Sequence, residues 1–591
     1  GLGKSYSQAA ALATASAERQ CAAGEAVLGW LLHHGFGLPR NLLDAAQLFA
    51  RAANRGDLRG LTWHGICLLG GHGVASDPLL GVVQLRAAAE RDSELAQYWL
   101  GRACYFGIGT AQDFVIAAHW LQRAANCGHG RAIDMLARCR FLGRGVAEDR
   151  AEATRLWRLA AAADVGSAMF CLGLCHYSGE GVVLDPSEAL RWFHLAAGKG
   201  IAAAMFFLGW CHSFGHGVAA DAAVGLGWWR RAALRGNREA EFELGECHAF
   251  GRAGVAQDMR QAIRCYRAAA RRGHLRAQVK LGHCYRCGDG VGENKALAAS
   301  WYRRAAAAGD AAAQVWLGEC HEHGEGVGRD LAAAVELYRR AAANGDPHAR
   351  AELGRCYLHG IGVHANLQRG EELLRAAVDG GWQAALGELE RYWFAEAERL
   401  MHGEASAGEG NTVADASAAV ALYRKAAELG HRGAAYMLGQ CCRYGNGMTV
   451  DLAQAVLWYR KAATLADAKV ALGDMYYHGE GVAKSYREAV RWYEQAVQQH
   501  QDAYAMYSYG FCLMHGQGIV RDGKSGLRWL RRAAQLDEVN AQYELGCAYY
   551  RGNGVAKDLR LAMKWLRAAA AHGNEPARAF MERVERGGRL N

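Results

Sequence analysis

The stretch AAAQVWLGECHEHGEGVGRDLAAAVELYRRAAANG, from Ala311 to Gly345, decides how the chain folds, because most of the remaining sequence varies it. Ala313, Val315, Trp316 and Leu317 recur at helical spacing until Gly324-Glu325-Gly326-Val327 interrupts them. The first half is therefore expected to be an amphipathic helix ended by a tight turn. Asp330 follows Val327 by three positions, where its carboxylate can accept from the unpaired amides of a second helix. That helix carries Tyr338, Ala341 and Ala342 on its apolar side and is expected to stop at Gly345, a residue suited to a C-terminal cap. Gly318 lies inside the first helix, which costs about 1 kcal/mol relative to alanine. Close contact between helix backbones is the expected return.

Working outward, the same Leu-Gly glycine falls at Gly29, Gly65, Gly101, Gly173, Gly209, Gly245, Gly282, Gly318 and Gly354, with Ala137 in the equivalent slot. The step is 36 residues, once 37. The turn keeps pace as Gly71-His72-Gly73-Val74, Gly143-Arg144-Gly145-Val146 and Gly215-His216-Gly217-Val218, and only Gly251 to Val255 carries an extra residue. Asp77, Asp113, Asp149, Asp185, Asp221 and Asp258 repeat the N-cap, with Asn294 and Asn366 as variants. A sequence renewed at this period is a helical array rather than one core.

The combined pattern, seen in LGDMYYHGEGVAKSYREAVRWYEQA from Leu472 to Ala496, resembles the Sel-one-like repeat family, a branch of the tetratricopeptide superfamily. The resemblance covers almost the entire chain. It implies an all-α, right-handed solenoid of antiparallel helix pairs, here about fifteen full repeats of 36 residues, presenting concave and convex faces to other proteins. It implies no chemistry. Cysteine-rich secreted members of the family pair a cysteine ending each second helix with one in the next first helix, a placement this chain lacks.

One interruption breaks the period. Gly354 and Gly439 are 85 residues apart where two repeats would take 72. The excess falls around Glu388 to Asp415, which contains Tyr392-Trp393-Phe394 and the loop Glu404 to Gly408. These aromatics either fill a longer helix pair or form a partner-docking spur. The reading divides the chain into a second helix of a truncated repeat (1–18), a first array (19–383), a distorted repeat (384–430), a second array (431–573) and a polar C-terminal capping helix (574–591). Because Gly1 to Ala9 aligns with Gly481 to Ala489, a first helix is expected upstream, together with any targeting signal.

Motifs that look like chemistry give way to the repeat. Gly518 to Ser525 matches G-x-x-x-x-G-K-S, yet Gly518 and Asp522 occupy the ordinary turn and N-cap, with no preceding strand. Ten of the 18 cysteines, Cys67, Cys139, Cys175, Cys211, Cys247, Cys284, Cys320, Cys356, Cys441 and Cys512, sit two residues after the Leu-Gly glycine or its alanine substitute. Successive repeats hold them roughly 10 Å apart, too far to bridge, so buried reduced thiols are expected. Cys284 and Cys287 form a lone C-x-x-C, weak for zinc. His176, His212, His248 and His321 stand where Tyr285 and Tyr357 stand elsewhere, as packing residues. No catalytic, metal or cofactor constellation emerges.

The pairs Arg230-Arg231, Arg271-Arg272, Arg303-Arg304, Arg339-Arg340 and Arg531-Arg532 are expected beside the aromatic of the second helix on a solvated outer face. Trp192, Trp229, Trp301, Tyr302, Trp458, Trp492, Trp529 and Trp565 are expected to pack the hairpins. A net charge of +9 over 591 residues is too mild to mark nucleic-acid binding by itself, and no apolar run of membrane-spanning length occurs. The expected function is a nonenzymatic scaffold or adaptor that binds protein partners and assembles a complex. An RNA-binding helical repeat is the alternative. Tyr392, Trp393 and Phe394 are the candidate partner-binding residues. A reducing intracellular compartment is expected, cytoplasmic first, with an organellar or cytoskeletal assembly also fitting.

Overall fold

A computed structural model describes residues 2–402, 415–499 and 502–585. Among these residues the regular elements are α-helices, thirty-two in chain order, α1 to α32. The chain divides into two compact units, Gly1–Ala308 and Gly309–Asn591. Each is a stack of helical hairpins in which a first helix packs on its own second helix and, within the unit, on the second helix before it.

The hairpin of α18 (Ala311–His323) and α19 (Leu331–Ala343) shows the local logic. Gly324 takes left-handed angles (φ 72°) and its N–H donates to the Cys320 carbonyl. The Asp330 N–H donates back to His321 O at 2.9 Å, and the Asp330 carboxylate accepts from the Ala333 N–H at 2.9 Å. The connection is thus closed from both helices. At the far end Asn344, not Gly345, is the cap, with φ −77°. Gly345 follows at φ 87°, where its N–H reaches Ala342 O and that of Asp346 reaches Ala341 O. The glycine acts one residue later than expected because this paired closure needs its left-handed residue beyond the cap. The aspartate and asparagine N-caps hold throughout, from Asp77 to Asn366.

The glycine inside the first helix has a different partner from the one expected. A Cβ on Gly318 would lie 2.5 Å from the Tyr338 ring, on Gly245 2.5 Å from Tyr266, on Gly173 2.5 Å from Phe193 and on Gly439 2.6 Å from Tyr459. A side chain from the second helix, not its backbone, fills the space. Backbone also closes in at some of these glycines, as at Gly65, with Leu85 Cγ at 2.9 Å and Gly81 O at 3.1 Å, and at Gly29, with the Phe49 ring at 2.8 Å and Ala45 O at 3.2 Å. In several repeats the residue just before this buried ring or leucine is a tryptophan nearer the surface. Trp192, Trp458, Trp492, Trp529 and Trp565 are half-buried while Phe193, Tyr459, Tyr493, Leu530 and Leu566 are buried. Trp229 and Tyr302 occupy the buried slot, and Trp301 is buried beside it.

Neighbouring hairpins are joined by the second turn glycine. A Cβ on Gly109, Gly145, Gly217 or Gly481 would overlap the carbonyl of Pro78, Phe114, Pro186 or Leu452, each the first residue of the second helix one repeat earlier. Fixed-slot polar contacts add to this. The Gln97 and Gln278 amides donate to Ala89 O and Ala270 O at 3.2 and 3.1 Å, while Arg267 and Arg531 reach the Tyr285 and Tyr549 hydroxyls at 2.8 and 2.6 Å. Arg267 thereby takes the slot after the ring, and the pair Arg271-Arg272 falls at the helix end instead.

The phosphate-loop lookalike is ordinary repeat backbone: Gly518 has φ 70° against Tyr486, and Asp522 accepts from the Ser525 N–H at 3.0 Å. In the interrupted region α22 (Ala384–His402) runs 19 residues where most first helices run 13. The loop Glu404 to Gly408 lies outside the described residues. No described helix is long and apolar enough to cross a membrane.

Two glycines separate backbone strain from steric contact. A Cβ on Gly128 (φ 83°) would meet nothing within 4 Å, whereas one on Gly145 (φ 71°) would abut the Phe114 backbone. Gly128→Ala is expected to cost about 1 kcal/mol for left-handed geometry alone, and Gly145→Ala about 3 kcal/mol as the junction opens. Equal costs in urea unfolding would show that the turn does not bear on its neighbour.

Candidate protein-interaction surface

The cysteines and histidines are structural in their surroundings. All 18 cysteines are free thiols, and the ten at the repeated slot are buried. Burial pushes the thiols of Cys67 and Cys211 up to about 11 and that of Cys512 up to about 12, which keeps them protonated and unreactive. Cys284 is buried while Cys287 is exposed. His176, His212, His248 and His321 are half-buried, and their backbone carbonyls each accept the N–H of an N-cap aspartate. Four of the exposed arginine pairs lie on the second helices beside the buried slot, as expected, and Arg271-Arg272 lies at the end of its helix instead.

The first helices offer a different surface. Those of successive repeats touch one another, α2 (Ala22–His34) with α4 (Leu58–Gly70), α4 with α6 (Glu94–Phe106), and α6 with α8 (Gly130–Leu142). From α2 to α8 their outer face is therefore a continuous layer. The last residue of several first helices is a large apolar side chain pointing to solvent: Phe106 55%, Leu142 50%, Phe214 55% and Phe250 52% exposed. Each directly precedes the turn glycine. In α12 (Ala202–Phe214), Trp210 meets Phe214 at 4.4 Å between centroids, the rings tilted by 48°. A cleft of about 450 Å³ opens beside Leu142, lined by Tyr105, Phe141, Trp157, Cys171 and Leu174 with Arg138 and Arg144. Arg138 lies 3.5 Å from the buried Asp134, and Arg144 donates to the Tyr105 hydroxyl at 2.7 Å, so the basic groups there already have partners. The apolar wall is what remains open. Sequence reading passed over this row, although an apolar residue just before the turn glycine was its signal; Ser178, Cys287, His323 and His359 fill the slot elsewhere.

Tyr392, Trp393 and Phe394 lie on α22 in the C-terminal unit. Trp393 is buried, with the Lys425 ammonium 5.2 Å from its ring. Tyr392 and Phe394 are half-buried, the first edge-on to His359 at 5.5 Å, the second against His431 at 4.5 Å and Tyr423 at 5.9 Å. The three thus fill the longer hairpin, and only the flanking two keep an exposed edge.

At the N-terminal end of the first-helix layer, His33 packs 5.3 Å from Trp63, 4.8 Å from His34 and 5.9 Å from His72. Both its ring nitrogens are buried without a hydrogen-bond partner. Burial first, then the neighbouring His34, His72 and Arg40 charges, pushes its pKa from 6.5 down to about 4.

Comparison with known proteins adds the following. A family model described as Sel1 repeat matches residues 22–57, eight consecutive segments from 94–129 to 347–382, and 402–431, 433–467, 466–500, 503–538 and 539–574. No curated protein matches the sequence. Among solved structures, c5321, a protective antigen present in uropathogenic Escherichia coli strains displaying an SLR fold, is 25% identical, with 91% of this chain and 97% of that one covered and a TM-score of 0.49. A Sel1 repeat protein from Oxalobacter formigenes is 28% identical over 52% of this chain and 89% of its own, with a TM-score of 0.40.

The His33 environment sets a sign for pH dependence. A folded pKa of about 4 below an unfolded value near 6.5 means the unfolded chain binds the proton first. Stability contributed here is whole at pH 7 and is lost as pH falls from 6.5 to 4. Unfolding of the N-terminal repeats at pH 4.5 is expected to need roughly 1–2 kcal/mol less than at pH 7, after allowing for solvent screening, and His33→Phe should shrink that difference. An identical drop in the variant would remove His33 from the account.

Proposed function

The chain belongs to the Sel1 repeat family, and on that premise we propose that it is a nonenzymatic scaffold that assembles a protein complex by holding partners on its first-helix layer. The observation that carries this is the row Phe106, Leu142, Phe214 and Phe250, exposed at the same slot of separate repeats beside an open apolar cleft. Aromatic and aliphatic side chains left in water at a fixed spacing lose that exposure when a partner chain lies across them, which contributes roughly 25 cal/mol per Å² buried. The rigid stack beneath holds them in place, so little ordering is required on binding.

The half-exposed edges of Tyr392 and Phe394 form a second, smaller contact in this reading, with the buried Trp393 supporting them from below. The ten buried thiols of the repeated slot support residence in a reducing compartment, where such cysteines stay unpaired.

The scaffold reading is tested by affinity capture from native cells, with nuclease present, of the wild-type chain and of a Phe106→Ala, Leu142→Ala, Phe214→Ala variant. Proteins retained by the wild type should fall by about tenfold or more in the variant. Equal retention by the two would move the binding surface elsewhere, and loss of all wild-type partners on nuclease treatment would remove the direct protein contact.

A further inference from the structure

Three consecutive second helices concentrate the positive charge. α13 (Ala222–Leu234), α15 (Met259–Arg271) and α17 (Lys295–Ala307) contain nine lysines and arginines and not one carboxylate. The formal net charge of the whole chain is +9, so the rest of the sequence sums to neutral. Several other second helices pair their charges, as Arg191 with Glu188 at 3.0 Å and Arg155 with Glu152 at 2.7 Å, while α29 (Gly523–Gln535) and α31 (Leu559–Ala571) of the other unit are likewise basic without a carboxylate.

Within this face α15 is the most ordered part. Arg260, Arg264, Arg267 and Arg271 follow one another by four, three and four residues, which sets them in one stripe about 16 Å long. Ala262, Ile263, Tyr266, Ala269 and Ala270 point the other way into the core. Arg260, Arg264 and Arg271 are exposed, as are Arg230 and Arg303 on the flanking helices, and among the described residues none of the five forms an ion pair. Arg267 is committed to the Tyr285 hydroxyl.

We propose that this face docks an acidic helix of a partner protein, with carboxylates spaced to meet the stripe. The proposal rests on the scaffold reading insofar as the ligand is a protein. Eight of the nine cations are arginine, whose planar fork binds a carboxylate through two parallel hydrogen bonds. Single-stranded nucleic acid would need open aromatic faces for its bases, and here they are covered. Arg231 lies 4.7 Å over Trp228, which His194 also meets at 5.4 Å. Trp301 is 8% exposed beneath Arg304 at 4.8 Å. The corresponding residue of α15 is Cys265.

Fluorescence anisotropy of the full chain with a fluorescein-labelled, alanine-rich helical peptide bearing glutamates at the same four, three, four spacing tests this at about 0.15 M salt. Saturable binding is expected, weakened about tenfold or more by Arg260→Glu, Arg264→Glu, Arg271→Glu in protein of unchanged circular dichroism. Lysine at the same three positions should weaken it less. Absence of binding, or binding unchanged by the charge reversal, would overturn the proposal. So would a single-stranded RNA or a phosphatidylserine vesicle that binds more tightly than the peptide and is lost in the same variant. These substitutions leave the first-helix layer intact. A failed peptide assay beside undiminished partner capture would therefore sink the acidic-helix proposal and leave the scaffold standing.

Discussion

The contact on which each hairpin depends is a side chain of the second helix lying where a Cβ of the first helix would otherwise be. Tyr338 against Gly318 and Tyr266 against Gly245 bring the two helices close enough for alanines such as Ala313, Ala334 and Ala341 to be fully enclosed between them. The glycine weakens its own helix by about 1 kcal/mol, and burial of a ring and several alanines outweighs that. Where the glycine is missing, the hairpin adapts. Ala137 faces Trp157, whose indole N–H donates to buried Asp134 at 3.0 Å, and Ser167 donates to the same carboxylate at 2.8 Å.

The second glycine carries the constraint from hairpin to hairpin. Its left-handed angles close the turn, and its missing side chain admits the carbonyl that starts the preceding second helix. Contacts of this kind reach one repeat along the chain and no further. Stability in each unit accordingly accumulates between neighbours, as in other repeat stacks, and the outer slots of each helix are free to diversify without disturbing the frame. That separation of frame from surface is why one unit can carry both an apolar first-helix row and an arginine-dense second-helix face.

Much of the frame was legible from residue types alone. Asp-capped starts, glycine turns and the 36-residue step each have a local physical cause, and a local cause survives in the sequence. What Gly318 faced was less legible, because the partner is a side chain twenty residues away rather than a backbone, and spacing does not reveal which atoms meet. The tryptophans misled for a related reason. Trp458 and Tyr459 are adjacent, and only three-dimensional packing shows that the tyrosine is enclosed while the tryptophan lies at the surface beneath Lys461, 4.2 Å from its ring. The candidate site was the least legible part. Tyr392, Trp393 and Phe394 stood out as an interruption, whereas Phe106, Leu142 and Phe214 were hidden by regularity, being unusual only in their exposure.

The central claim is that these glycine contacts hold each repeat to its own partner helix and its immediate neighbours. Site-resolved hydrogen exchange of a Gly473→Ala variant addresses it most directly, since the new methyl group would overlap the Tyr493 ring. The account predicts lost protection in α26 (Ala466–His478) and α27 (Tyr486–Gln499), a smaller loss in the adjoining helices, and unchanged exchange from α4 to α12. A uniform loss of protection along the whole chain, or none at residues 466–499, would contradict it.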